Sequence, residues 1–151
     1  MSGGTLGSLM NRRRTFEVQL ASFYAGVRDR SRDNGVRLLT YYLARHRRHQ
    51  EEALSAYDRT DIARFRKTRI PENIRFDFSG SFALTNVRPA GVKGGELLNA
   101  ALGYDRALIG LYRSILKQPL DKNAKAMLKS LIRAEERDVT MLKKMTAMHY
   151  Y

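Results

Sequence analysis

The chain has no cysteine, which removes disulfides, thiolate metal ligands, iron–sulfur clusters and cysteine nucleophiles at once. Any metal would have to be bound by His, Asp or Glu. Only three prolines and 11 glycines interrupt it, and no segment approaches the roughly 18 to 20 consecutive apolar residues that a membrane span requires. The opening "MSGGTLGSLMNRRR" has no apolar run before a small-residue cleavage site, and its charges follow its few apolar residues. A secretory leader is therefore not expected, and the expectation is a soluble, cytoplasmic protein. Acidic residues are also scarce, 15 Asp and Glu against 28 Lys and Arg, for a formal charge of +13. That excess favours anionic partners such as nucleic acid, acidic lipid or an acidic protein. The 151 residues suit one domain with a single core.

Two catalytic patterns are missing as well. "GVKGGE" lacks the spacing of a phosphate-binding glycine loop. No serine shares a stripe with a histidine, so a Ser–His–acid triad cannot be assembled.

What the chain does have is helical periodicity in four stretches. The first covers residues 9–31, with Phe16, Leu20, Phe23 and Val27 on one face, and "RDNG" ends it because Asn34 and Gly35 tolerate the left-handed conformation. The second covers 36–57, and its inward stripe of Leu39, Tyr42, Leu43, His46, His49 and Ala53 includes two histidines. The third covers 95–117, with Leu98, Ala101, Asp105, Leu108, Tyr112 and Ile115 in register. "KQPLD" stops it, Asp121 is placed to cap the fourth, and residues 121–148 align Leu128, Leu131, Glu135, Asp138, Leu142 and Met145. Residues 58–93 differ, with Pro71, Pro89, "SGS", several β-prone residues and room for a short helix near 62–66. They are too long for a hairpin and suit a crossover. The expected fold is all-α, a four-helix bundle whose second and third helices run parallel.

A faint internal repeat relates the halves. "FEVQLASFY" (16–24) matches "YDRALIGLY" (104–112), and "LARHRRHQ" (43–50) matches "IRAEERDV" (132–139) with a one-residue change of offset. It pairs Glu17 with Asp105, His46 with Glu135, and His49 with Asp138. All six lie on stripes that should be apolar, where an unpaired charge costs several kcal/mol, so they must satisfy one another or a ligand. The i, i+3 pairs His46–His49 and Glu135–Asp138 each project to one helix face and could chelate.

On these residues the chain resembles the ferritin-like superfamily, in particular the rubrerythrin-type carboxylate bundles. The resemblance covers the four helices and leaves the crossover unexplained. It implies one acid on each of two helices (Glu17 and Asp105) and a Glu-x-x-His-like pair on each of the others (His46–His49 and Glu135–Asp138), together holding two metal ions. Iron or manganese is the implied cofactor, zinc less so, with oxidase or ferroxidase-like activity. The pattern departs from the family at His46, which stands in place of a bridging carboxylate, and at Asp138, which stands in place of a histidine. A metal-free hydrogen-bonded network of the same six residues is the alternative.

Tyr24 and Tyr112, each seven positions after its acid, are expected either to bond the ligands or to serve as ordinary core tyrosines. Arg12, Arg13, Arg14, Arg45, Arg47 and Arg48, with Arg28, Arg30, Arg32 and "RFRKTR", are expected on the surface. There they would form either an anion-binding face for phosphate backbones or a solvated face with the pairs Arg47–Glu51 and Arg48–Glu52. A homo-oligomer is expected, and His149 in "MHYY" falls in a tail suited to fraying or subunit contact.

Overall fold

The computed structural model describes residues 4–148, apart from the side chains of His46 and Arg47. His149 lies outside the described residues. All regular secondary structure among them is helical.

The first helix, α1 (Leu6–Arg30), starts where the Thr5 hydroxyl accepts the Ser8 amide at 3.1 Å. The next, α2 (Asn34–Ala44), follows after three residues. The break falls in "RDNG" but has a different cause from the one expected. Asn34 and Gly35 are the first residues of α2, and it is the Asp33 carboxylate that makes the boundary, accepting the amides of Gly35 at 2.8 Å and Val36 at 3.4 Å.

The continuous helix expected over 36–57 is interrupted. Arg45–Arg48 form a single 3-10 turn, and α3 (His49–Leu54) resumes beyond it with no side-chain cap. This turn holds three arginines in four positions and no acid, so no opposite charge within it offsets the crowding. Glu51, one expected partner, reaches Arg14 of α1 at 3.3 Å.

Asp58 caps α4 (Arg59–Lys67), which is the short helix expected in the crossover. Beyond it, α5 (Gly94–Leu116) begins with Lys93 donating its amide to the Glu96 carboxylate at 2.9 Å. Asp121 caps α6 (Lys122–Ala147) as expected, accepting the Ala124 amide at 2.7 Å.

The β-prone residues of the crossover make no strand; among the described residues only an isolated bridge joins Thr5 to Arg69. These residues cover the core instead. Phe65, Ile70, Phe78, Phe82 and Leu84 are all buried. Phe82 meets Tyr24 of α1 edge-on at 6.1 Å, and Phe78 meets Phe16 at 6.0 Å.

Side-chain contacts set the helix directions. Arg13 meets Tyr112 while Glu17 meets Tyr104, so α1 and α5 are antiparallel. Tyr42 meets Asp138 while Tyr57 meets Ser130, so α2–α3 and α6 are antiparallel. The helices enclose one core running from Leu6 to Leu142. No helix among the described residues is long and apolar enough to cross a membrane.

Candidate functional site

At mid-core, five ionisable residues that a hydrophobic interior would exclude are almost fully buried: Arg13, Glu17, Asp105, Glu135 and Asp138. Four of them were expected there. Arg13 was expected on the surface and is the main correction. Its 1% exposure follows from position, since it falls on the same α1 stripe as Leu6, Met10, Phe16, Leu20 and Val27.

The guanidinium is held on three sides. Nε donates to Glu17 Oε2 at 2.6 Å, Nη2 to Glu135 Oε1 at 2.6 Å, and Nη1 to the Tyr112 hydroxyl oxygen at 2.7 Å. Tyr104 adds a hydrogen bond from its hydroxyl to Glu17 Oε2 at 2.7 Å. A planar cation with five N–H donors suits this task, because it binds two carboxylates at fixed angles and still has a donor for the phenol. Burial opposes the charge of Arg13, but the facing carboxylates of Glu135 and Glu17 outweigh it and raise the pKa well above the ordinary guanidinium value. Burial also raises the Tyr112 phenol, to about 12, even though Arg13 pulls it the other way. Tyr104 is raised further, by burial and then by the Glu17 charge. Both phenols are therefore protonated at neutral pH.

Three of the six expected ligands gather beside this clamp. His49, Glu135 and Asp138 each offer one atom, all within 4.8 Å of one another. Metal bonds of about 2.0–2.2 Å at tetrahedral angles put two ligand atoms about 3.4 Å apart, so the three atoms would close by up to about 1.4 Å to share one ion. The Tyr42 hydroxyl donates to Asp138 Oδ1 at 3.1 Å, which orients that carboxylate as an outer-shell partner does. His49 and Asp138, with Tyr42, Glu52, Arg137 and Met141, line a 270 Å³ pocket. Glu135 thus faces two ways, toward Arg13 through Oε1 and toward His49 and Asp138.

Repeat-equivalent positions meet across the core. Phe16 packs on Tyr104 with ring centroids 5.5 Å apart, and His49 lies opposite Asp138. The chemistry is nevertheless asymmetric. In the repeat register Arg13 corresponds to Ala101, so among the described residues only one half of the core has a buried guanidinium. Of the two tyrosines, Tyr112 bonds Arg13, and Tyr24 packs against Phe23 and Phe82. Asp105 is fully buried on α5, next to Tyr104.

Of the other arginines of the expected anion-binding set, Arg12, Arg14, Arg45 and Arg48 are exposed. Arg12 sits 5.9 Å from the Phe78 ring centroid, Arg14 pairs with Glu51, and Arg45 and Arg48 border a surface groove. The side chains of His46 and Arg47, and with them the expected His46 ligand and the Arg47–Glu51 pair, lie outside the described residues. Reading "RRR" as a surface block hid Arg13. Its i, i+4 spacing to Glu17 and its place on the apolar stripe were the signals that separate it from its neighbours. Compared with protein families, curated proteins and solved structures, the chain has no significant match.

Proposed function

We propose that this protein is a ferritin-like four-helix bundle that binds a single divalent metal ion, with Arg13 standing in for the second cation of a two-metal carboxylate core. The connectivity supports the bundle reading: a three-residue link from α1 to α2, a long crossover, and a short link from α5 to α6. The observation that carries the metal reading is the convergence of His49, Glu135 and Asp138 within 4.8 Å. One imidazole and two carboxylates suit iron(II), manganese or zinc. A bound ion of this kind would supply Lewis acidity or, for iron and manganese, one-electron chemistry.

Charge supports one ion over two. Four buried acids face one buried arginine, so with the acids ionised a single divalent cation removes most of the remaining charge. Arg13 lies between Glu17 and Glu135, which leaves no room for a second ion bridging them; two-iron ferroxidase chemistry is not part of this reading.

Elemental analysis of protein purified without chelator should find about one equivalent of iron, manganese or zinc. His49→Ala and Asp138→Ala should each bring that to background with helical circular dichroism retained. Metal-free protein that also fails to bind manganese or zinc in calorimetric titration would overturn the proposal. It would favour the competing reading, in which Arg13 and the tyrosines satisfy a metal-free polar core.

A further inference from the structure

We infer that the outer face of α2 and the 3-10 turn is a binding surface for single-stranded nucleic acid, with Tyr41 as a base-stacking platform between arginines. The inference stands apart from the metal reading.

From Asn34 to Gln50 the sequence has no acidic residue and four arginines. Arg37, Tyr41, Arg45 and Arg48 recur every three to four positions, so they project along one side, about 5.4 Å apart per turn. All four are exposed. Tyr41 is 56% exposed and its neighbour Leu38 70%, a poor use of a large ring unless something covers it. Arg28 of α1 lies over one face of the Tyr41 ring, 5.0 Å from its centroid, with its Nε paired to Asp29 at 3.4 Å. Tyr41, Tyr42, Ala44, Arg45 and Arg48 border a 490 Å³ groove at the end of this ridge. Tyr42 is pinned there by its bond to Asp138.

An exposed aromatic ring flanked by cations matches a strand with unstacked bases, where bases stack on the ring and phosphates meet the guanidinia. A duplex hides its base faces and would leave Tyr41 unused. An anionic bilayer would need a broad apolar band, and Leu38 is the only exposed aliphatic residue in α2. A second copy of the chain would bring the same arginines against these, like charge against like.

The test is fluorescence anisotropy of the full chain with labelled oligo-dT and oligo-U, across a salt series and with EDTA present to separate binding from any metal. Both strands should bind, with log affinity falling linearly with log salt. Tyr41→Ala should weaken binding roughly tenfold, while Tyr41→Phe stays near wild type. The double variant Arg45→Ala/Arg48→Ala should lower the salt slope by about 1.4, the value for two lost phosphate contacts on a single strand. The inference is overturned by no binding, by Tyr41→Ala binding like wild type, by duplex of equal length binding as well as single strand, or by anionic vesicles binding where oligonucleotides do not. Failure here would leave the metal content of the protein as measured.

Discussion

Arg13 has most of the consequences at the residue scale. Removing it by Arg13→Ala would leave Glu17 and Glu135 buried without their cation, and such a loss costs about 3–5 kcal/mol. Chemical denaturation should show that loss, and manganese or zinc should restore more of the lost melting temperature in the variant than either adds to wild type. Equal metal effects on both proteins would rule out the stand-in role. The buried phenols give a pH signature. Tyr112 titrates at about 12 in the folded chain, against about 10 when unfolded. The folded state therefore holds its proton more tightly, and the stabilisation is complete below pH 10 and fades as pH rises toward 12. The size is about 3 kcal/mol, from two units at roughly 1.4 each. Alkaline unfolding followed by circular dichroism should show the fall, and Tyr112→Phe should reduce it while Tyr104 keeps its own share.

Among the elements, α4 and the crossover hold α1 from outside. A Cβ at Gly7 would lie 2.9 Å from the Arg66 carbonyl oxygen, so α1 and α4 approach as closely as glycine allows. Gly7→Ala should destabilise by about 1–3 kcal/mol through overpacking, measured by urea titration. Phe65, with no exposed surface, anchors α4, and Phe65→Ala should cost about 3–5 kcal/mol in the same assay. The long helices were legible in the sequence because their apolar stripes repeat for many turns, as through Leu98, Leu108 and Ile115. The 3-10 turn was not. A stripe through Leu43, His46 and His49 reads as helix whether or not the backbone tightens, and charge crowding outside the stripe is invisible to periodicity. Phe78 and Phe82 looked β-prone for a related reason: an aromatic laid over a core and one in a strand have the same local composition, and only long-range packing separates them.

For the molecule as a whole, the formal charge of +13 makes self-repulsion part of its stability, so the melting temperature should rise with sodium chloride from low to physiological ionic strength. A flat or falling curve would mean that local pairs such as Arg113–Glu136, at 3.3 Å, dominate. Net charge was readable from composition, but its division between core and surface was not. Of the candidate site, Glu17, Glu135, Asp138 and His49 were legible because a polar residue on an apolar stripe stands out, whereas Arg13 was obscured by two exposed arginines beside it. The Arg13 clamp also bears on supply. A guanidinium cannot be chelated, displaced by a competing ion or withheld by a poor medium; it arrives with the chain at translation. This half of the core is assembled on every copy from the moment it folds, and if the His49 side holds an ion as proposed, a change in the cell's ion content reaches that side alone.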